Sequence, residues 1–213
     1  MKYEPKKYWN ERGKSYLKGL YFLRSPERFK THFIYEPILG HLLRKEIKGI
    51  KPRTLLEVGC GPGRLFSFYK GIPEVYCVDF SSVMLKRAEE LIKQKKYKNI
   101  KLFKMEAQNL GFRENQFDIV LTSNVLLHIP PESIEDAISE IVRVSNGYVL
   151  SVEYFTTNKK NHTARQHSQN DRKEEIKHCF LHDYPDLFRN KKAQMVKAVD
   201  IPFFEQKMFL FQK

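Results

Sequence analysis

The residue types with the clearest chemical use stand at the end of the apolar segment TLLEV, residues 54–58. Three glycines follow it at alternate positions: Gly59, Gly61 and Gly63. Glycine lets another backbone or a ligand come close, and it tolerates positive φ. Glu57 places a carboxylate inside the apolar run, which is costly unless a donor satisfies it. Asp79 ends the next apolar run, where a carboxylate can accept hydrogen bonds from both hydroxyls of a ribose. The pattern predicts a nucleoside site.

The spacing of the glycines narrows the class of nucleoside. The pattern Gly-x-Gly-x-Gly differs from the G-x-G-x-x-G turn of dinucleotide-binding proteins, which disfavours a nicotinamide dehydrogenase. No lysine follows the turn as it does in a P-loop, so the sequence offers nothing to hold a triphosphate. The site therefore suits a nucleoside without a phosphate chain.

The elements that must position these residues alternate between strands and helices. Strands are predicted at 54–58, 74–80, 99–105, 117–124 and 147–155, with a short helix at 63–71 and longer ones after Ser81 and Pro131. Valine-, isoleucine- and leucine-rich strands that alternate with helices indicate a parallel sheet covered on both faces. The late segments 193–201 and 204–212 are close enough to form an antiparallel hairpin.

The predicted fold class is therefore α/β: a Rossmann-like, doubly wound, mostly parallel seven-stranded sheet with an antiparallel C-terminal hairpin. Residues 1–52 are predicted as an N-terminal helical extension or lid, and residues 53–213 as the main domain. A polar insertion is expected at about 156–190, where apolar periodicity is lost.

Three consecutive segments carry a resemblance to a known family. LLEVGCGPGR, VYCVDFS and MEAQNLGFRENQFDIVLTSNVLLHI resemble the successive motifs of class I S-adenosylmethionine-dependent methyltransferases, over about residues 53–155. The resemblance implies that residues 53–213 bind S-adenosylmethionine, and that the product S-adenosylhomocysteine binds as well. It implies an enzyme that transfers a methyl group.

The resemblance also implies roles for individual residues. Glu57, with the backbone of Gly59 and Gly61, would hold the methionine end of the cofactor, and Asp79 would hold the ribose. The remaining implied cofactor contacts are Cys60, Gly63, Phe80 at the adenine face, Glu106 and Ala107 at the adenine amino group, Ser123 and Asn124. The family more often has Asp where this chain has Glu106. Asn124 and His128 are the candidate catalytic residues, since cofactor and acceptor meet in that segment.

The acceptor is less well defined by the sequence. Strand four is not followed by the [DN]-P-P-[YF] tetrapeptide typical of amino-group methylation of bases or glutamine, and LTSNVLLHI resembles the branch with varied, often small-molecule, acceptors. Aromatic and cationic residues of the flanks are predicted acceptor contacts: Tyr8, Trp9, Tyr16, Arg24, His182 and Tyr184. The alternative is that they form the amphipathic underside of a lid helix. His178 and His182 have no third ligand in a recognisable motif, so no metal is predicted.

Net charge indicates which partners the protein attracts, and cysteine content indicates its cellular compartment. The net charge of +13 is concentrated at the two ends, with 13 Lys and Arg against 5 Asp and Glu in residues 1–52. Such flanks attract polyanions or acidic small molecules. Three cysteines without a CxxC pair, no secretory signal and no membrane-length apolar run predict a cytoplasmic protein. The sequence carries no signal for the oligomeric state.

Three functions remain open from the sequence. The first is methyl transfer to a small or medium-sized acceptor, which the basic flanks suggest is anionic. The second is methylation of tRNA or rRNA through those basic flanks, although lysine exceeds arginine, which is the better phosphate ligand. The third is a non-catalytic scaffold that binds the cofactor. This function is disfavoured because the site residues Glu57, Gly59, Gly61 and Asp79 are all intact.

Overall fold

The computed structural model describes residues 4–15, 34–155, 179–202 and 204–213. Its strands are β1 (Thr54–Val58), β2 (Glu74–Asp79), β3 (Ile100–Lys104), β4 (Phe117–Ser123), β5 (Ser145–Tyr154), β6 (Gln194–Ile201) and β7 (Gln206–Gln212). Its α-helices are α1 (Pro5–Ser15), α2 (Glu36–Ile50), α3 (Ser82–Lys95), α4 (Ile134–Val144) and α5 (Tyr184–Asn190).

The strands form one seven-stranded sheet in the order β3-β2-β1-β4-β5-β7-β6. β1 to β5 are parallel, and β7 runs antiparallel to both β5 and β6. This is the predicted fold: a doubly wound parallel sheet that ends in an antiparallel hairpin. The order reverses between β1 and β4, so a cleft forms beyond the carboxyl ends of these strands.

Each face of the sheet is covered because the central strands are apolar on both sides. Leu55 packs in one hydrophobic cluster and its neighbour Leu56 in the opposite one, as the period of two in a strand requires. α2 covers the first cluster with Leu39, Leu43 and Ile47. α4 covers the second with one buried stripe, Ile134, Ala137, Ile138 and Ile141. The sheet is thereby fixed as a rigid platform for the residues at its carboxyl edge.

The connection from β1 to β2 differs from its prediction. The expected helix at 63–71 is a single 3₁₀ turn, Phe66–Phe68, inside a buried apolar segment. Leu65, Phe66 and Tyr69 all lie in the core, whereas Ser67 and Lys70 of the same segment are exposed. Gly63 and Gly71 both have positive φ, 90° and 94°, which a right-handed helix does not have, so regular helix is confined to the few residues between them.

Part of the predicted polar insertion, residues 156–178, lies outside the described residues, as do Tyr16 and Arg24. The remainder of that insertion contains α5, which begins at the capping residue Asp183 and buries Tyr184 and Phe188 against the sheet. Of the predicted N-terminal extension, residues 5–15 and 36–50 are helical.

Candidate active site

A cavity of about 1440 Å³ opens at the carboxyl ends of β1, β2 and β4. Ligand pockets for one drug-sized molecule are typically about 300–1,000 Å³, so this volume can hold a nucleoside and a second molecule. All predicted cofactor contacts line it: Glu57, Gly59, Cys60, Gly61, Gly63, Asp79, Phe80, Glu106, Ala107, Ser123 and Asn124. The structure thus brings together residues that are spread over 68 positions of the sequence.

The three glycines of the turn all have positive φ, 73°, 54° and 90° at Gly59, Gly61 and Gly63. The three glycines differ in what a Cβ atom would contact at their positions. A Cβ at Gly59 would lie 2.3 Å from Val125, and one at Gly63 would lie 2.5 Å from Phe66. A Cβ at Gly61 would meet nothing within 4 Å. Gly59 and Gly63 therefore permit close packing, whereas Gly61 leaves space open in the cavity.

Asp79 fixes this turn from the end of β2. Its Oδ2 accepts the Gly61 N–H at 2.9 Å and its Oδ1 accepts the Ser81 N–H at 2.8 Å. Burial raises the pKa of the carboxyl, and these two backbone hydrogen bonds oppose that rise. Ser81 caps α3 through its hydroxyl, which accepts the Met84 N–H. Each carboxylate oxygen of Asp79 keeps a lone pair for a ligand hydroxyl.

Glu57 lies at the floor of the cavity and is 3% exposed. Its Oε2 accepts a weak hydrogen bond from the Cys77 thiol at 3.8 Å. Burial raises the pKa of Glu57 to about 8, because a carboxylate is poorly solvated there, while the positive charge of Arg64 lowers it. Near neutral pH the buried carboxyl of Glu57 therefore carries a proton.

Glu106 and Ala107 follow β3 at the opposite side of the glycine turn. Glu106 is half-exposed and pairs with Lys6 of α1 at 2.6 Å. A short bridge between Glu106 and Asn109 shapes this loop. The carboxylate is thus available at the rim of the cavity and not at its floor, and α1 reaches across to it.

Asn124 follows β4 in the left-handed region, with φ of 57°, which asparagine tolerates better than most residues. A closed ring of hydrogen bonds holds its amide. The Tyr35 hydroxyl donates to Gln206 Oε1 at 2.5 Å, Gln206 Nε2 donates to Asn124 Oδ1 at 2.8 Å, and Asn124 Nδ2 donates to the Tyr35 oxygen at 3.3 Å. Burial raises the pKa of Tyr35, so its hydroxyl stays protonated.

Helix α1 covers the cavity. Its Asn10 Oδ1 accepts the Ser81 hydroxyl at 2.6 Å, and Gly13 packs where a Cβ would lie 2.9 Å from Val83 of α3. The Trp9 ring meets the His128 ring edge-on, with centroids 4.8 Å apart. The helix therefore contacts α3 on one side and the segment after β4 on the other.

His128 ends a 3₁₀ turn, Leu126–His128, that Glu153 holds in place. The buried Glu153 carboxylate accepts the N–H groups of Val125, Leu126 and Leu127 at 3.1, 3.2 and 3.5 Å. Burial raises the pKa of Glu153 to about 7. Cys179 lies near His128, its Sγ 3.9 Å from Nδ1.

Two predicted acceptor contacts, His182 and Tyr184, do not line the cavity. The His182 ring is 4% exposed, and its Nε2 bonds the Ile129 carbonyl at 2.9 Å. Tyr184 is fully buried in the core beside Phe209. Their burial is inconsistent with contact to an acceptor, because both side chains are committed to packing beneath the segment after β4. Tyr8 and Trp9, in contrast, line the cavity.

The structure adds cavity residues to which the sequence analysis gave no role: Arg64, Tyr35, Gln206 and Arg12. Arg64 stands directly after the glycine turn, and its position there was the available signal. Tyr35 and Gln206 are 171 residues apart, so nothing local pairs them. Glu153 could have been identified from the sequence in the same way as Glu57, because each is a single acid within an apolar strand.

Among the residues that the structure describes, no group of three or more His, Cys, Asp or Glu side chains could hold a metal ion. None of the described helices combines the length and the apolar character needed to cross a membrane.

Sheet order and site together define a class of protein. A parallel sheet that ends in an antiparallel strand, with a glycine turn after β1 and an acid after β2, is the class I methyltransferase fold. Magnesium protoporphyrin IX methyltransferase of Synechocystis PCC 6803, solved with bound SAM, shares this fold with a TM-score of 0.71 and 17% identity, over 98% of this chain and 94% of that one.

The sequence comparisons match part of the chain to known methyltransferases. Residues 55–146 match a family described as a methyltransferase domain. An uncharacterized methyltransferase of Schizosaccharomyces pombe is 33% identical over 150 residues, 65% of this chain and 49% of that protein. Phosphatidylethanolamine N-methyltransferase of Cereibacter sphaeroides is 35% identical over 108 residues, 49% of this chain and 52% of that protein. The chain spans about half the length of these curated relatives, and its residues 55–146 carry a methyltransferase domain.

Proposed function

We propose that this protein is an enzyme that transfers a methyl group from S-adenosylmethionine to a small or medium-sized anionic acceptor. The observation that carries the proposal is one continuous cavity. It begins at Glu106, passes Asp79 and Glu57, and ends beside Asn124 and His128. This order matches the order of the parts of the cofactor, from adenine through ribose to the methionine end.

The cavity residues fit the cofactor chemically. Gly61 leaves open space beside the carboxylate of Asp79, where a ribose with two hydroxyl donors can lie. The buried carboxyl of Glu57 can accept a hydrogen bond from an ammonium group, which offsets its poor solvation. Phe80 and Ala107 supply apolar surface for the adenine. S-adenosylmethionine supplies an activated methyl group on a sulfonium.

Replacing Gly61 with alanine is expected to weaken binding of S-adenosylhomocysteine by at least about tenfold, because the new methyl group enters the open space. Its φ of 54° also makes alanine unfavourable by about 1–2 kcal/mol of folding free energy. Calorimetric titration and thermal unfolding separate the two effects.

Gly71→Ala is the matched control for that variant. Gly71 has φ of 94° and open space around it, but it lies outside the cavity. The Gly71→Ala variant should lose about as much thermal stability as Gly61→Ala and keep the native affinity for S-adenosylhomocysteine. Equal affinity of the Gly61 variant and the native protein would contradict the placement of the ligand.

In the proposed reaction, the chain's own residues align the acceptor and exclude water, since a sulfonium is already a good leaving group. Asn124 is pre-oriented by Tyr35 and Gln206, so its amide can position an acceptor without losing freedom on binding. His128, under Trp9, is the side chain placed to take a proton from an oxygen or nitrogen acceptor.

The preference for an anion rests on the cation at the acceptor end. Arg12 donates to the Tyr8 hydroxyl at 3.0 Å, and its guanidinium lies 5.8 and 5.9 Å from the Tyr8 and Trp9 ring centroids. An aromatic wall beside a guanidinium suits a planar or apolar molecule that carries an acidic group. We assign residues 1–52, which include α1, to a helical lid over this end of the main domain, 53–213.

The proposed function is tested first by calorimetric titration with S-adenosylmethionine and S-adenosylhomocysteine, with NAD as the control. Micromolar binding of the first two and none of NAD is expected. A folded sample that binds neither would overturn the proposal.

The acceptor is tested by incubating the protein and radiolabelled S-adenosylmethionine with an extract separated into anionic, neutral and cationic small molecules, lipids and tRNA. Label is expected in the anionic small-molecule fraction. Arg12→Ala should reduce that transfer by about tenfold, since one charge-assisted contact is lost. Lys14→Ala removes a cation from the same helix outside this cavity and should have no effect. Label in tRNA or lipid would overturn the anionic small-molecule acceptor, and binding without any transfer would indicate a scaffold.

A further inference from the structure

The segment 124–129 carries both candidate catalytic residues, Asn124 and His128, and each of its six backbone N–H groups has an acceptor. The first N–H donates to the backbone carbonyl of Val152 at 2.9 Å, and the last two donate to carbonyls within the segment at 3.0 and 3.1 Å. The three in the middle all donate to one side chain, the carboxylate of Glu153. Half of the backbone donors of this segment therefore depend on a single residue.

Glu153 reaches the segment from behind. It lies on β5, it is 0% exposed, and it does not line the cavity. Its Oε1 accepts the N–H groups of Val125 and Leu126, and its Oε2 accepts that of Leu127. Hydrogen bonds to a carboxylate are stronger than those between neutral groups, and a buried N–H that loses its acceptor is costly. Glu153 therefore fixes the backbone beside the site without contacting a ligand.

Residues 180–182 hold the same segment through its carbonyl groups. The Phe180 N–H donates to the Leu127 carbonyl at 2.6 Å. His182 Nε2 lies 2.9 Å from the Ile129 carbonyl, and Nε2 must carry the proton because a carbonyl oxygen only accepts. His182 is 4% exposed and does not line the cavity. The segment is thus held on its donor side by Glu153 and on its acceptor side by residues 180–182.

This arrangement has a consequence for the acceptor. Since every backbone N–H of the segment is already used, it offers its hydrogen-bond donors to an acceptor through the side chains of Asn124 and His128. Methyl transfer needs the nucleophile in line with the methyl group, and a misplacement of about 1 Å can cost about 100-fold in rate. We propose that Glu153 and His182 are positioning residues that hold Asn124 and His128 in the alignment needed for methyl transfer, an assignment that rests on the proposed function above.

The test measures transfer of label from radiolabelled S-adenosylmethionine to the anionic small-molecule fraction of an extract. Glu153→Leu removes all three acceptors, so the maximal rate is expected to fall by about 10- to 100-fold. Glu153→Gln keeps one carbonyl oxygen, which can accept two of the three N–H groups, and should lose no more than about tenfold. His182→Phe keeps an aromatic ring and loses the donor, and about a tenfold loss is expected.

The loss should lie in the maximal rate and not in cofactor binding. The S-adenosylmethionine concentration that gives half of the maximal rate, and the affinity for S-adenosylhomocysteine, should each change by less than about threefold. Hydrogen exchange followed by NMR should show faster exchange of the amides of residues 125–127 in both Glu153 variants. If Glu153→Leu does not fold, Glu153→Gln and His182→Phe carry the test.

Asp118→Asn is the control for lost stability. The Asp118 carboxylate also accepts two backbone N–H groups, at 2.8 and 2.9 Å, but it lies near the start of β4, and the segment 124–129 follows the end of that strand. The variant should lose thermal stability, keep the native rate of transfer and leave the exchange of residues 125–127 unchanged.

The outcomes separate this assignment from the proposed function. If the folded Glu153 and His182 variants transfer label at the native rate, or lose cofactor affinity in place of rate, the assignment is wrong while the proposed function stands. If Asp118→Asn loses as much rate as Glu153→Gln, lost stability explains the effect and the assignment is again wrong. If the native protein transfers no label to any fraction, both the assignment and the proposed function are overturned.

Discussion

Replacing Asp79 with asparagine is expected to weaken binding of S-adenosylhomocysteine by about 100-fold, corresponding to about 3 kcal/mol. The carboxylate is 9% exposed and is oriented by one backbone N–H at each oxygen. Two ribose hydroxyls would complete its hydrogen bonding, and hydrogen bonds to a charged group are the strong ones. Asparagine keeps one acceptor and turns the other into a donor, which then faces a backbone N–H or a ribose hydroxyl.

Asp118→Asn is the matched control for this variant. Asp118 Oδ2 accepts the N–H groups of Arg53 and Thr54 at 2.8 and 2.9 Å, so it also fixes backbone with a carboxylate. It lies at the opposite end of the sheet, where β1 and β4 begin. Both variants should lose some stability, because each carboxylate satisfies two backbone donors. Only the Asp79 variant should lose affinity.

The measurement is calorimetric titration of both variants after thermal unfolding has established that each is folded. Native-like affinity in a folded Asp79→Asn protein would mean that the ribose does not lie at Asp79. An equal loss of affinity in the Asp118 variant would mean that stability, and not contact, explains the effect.

The strands of the parallel sheet are predictable from sequence because burial leaves a strong local signal. TLLEV is apolar, short and bounded by a glycine turn, and β1 begins and ends where the pattern predicts, at Thr54 and Val58. The same holds for Glu57 and Asp79, since an acid that follows or interrupts such a run reaches the carboxyl edge of the sheet. Functional residues that lie at the end of a strand can therefore be predicted from the sequence before the fold is known.

The acceptor side is not predictable in this way, because its residues meet only through the tertiary fold. Tyr35 and Gln206 converge on Asn124 from 89 and 82 positions away. His182 and Tyr184 have the residue types of a binding site, but Tyr184 at the start of α5 and His182 just before this helix are both buried. Sequence gives the type of a side chain, whereas the direction of a loop side chain depends on what packs beside it.

Binding of S-adenosylhomocysteine is expected to weaken by about 50-fold from pH 8 to pH 6, because Glu57 must lose its proton to accept the ammonium. Burial raises the pKa of Glu57 to about 8 in the empty cavity, so the carboxyl is protonated at pH 6 and half ionised at pH 8. The ammonium of the ligand stays protonated over this range. Affinity therefore falls with the ionised fraction, about tenfold per pH unit below 8.

The groups around Glu57 oppose one another, and the net shift is upward. Those that face it are Cys60, Arg64, Tyr69, Cys77 and Asp79. Arg64 lowers the pKa of Glu57 and the charge of Asp79 raises it, but burial exceeds both. The same burial raises the pKa of the Tyr69 and Cys77 side chains, which thus stay neutral from pH 6 to 8.

Proton release is the direct measurement. Titration at pH 7 in buffers of different ionisation enthalpy should reveal close to one proton released per ligand bound by the native protein. Glu57→Gln has no proton to release, so its affinity should be low and its enthalpy should depend far less on the buffer. If the affinity of the native protein does not change with pH and its binding enthalpy does not change with buffer, then Glu57 is already ionised or the ammonium binds elsewhere.

The stability of the protein without ligand should also depend on the proton of Glu57, and it should fall as the pH rises. A carboxyl whose pKa is higher in the folded state than its ordinary value of 4.5 favours folding while it is protonated. That contribution is complete below pH 4.5 and declines as the pH rises to about 8, by up to about 1.4 kcal/mol per pH unit. Glu153, with a pKa of about 7, acts in the same direction and is unchanged in the Glu57→Gln variant. The native protein should therefore lose more thermal stability than Glu57→Gln between pH 6 and pH 8, and an equal loss would contradict a proton on Glu57.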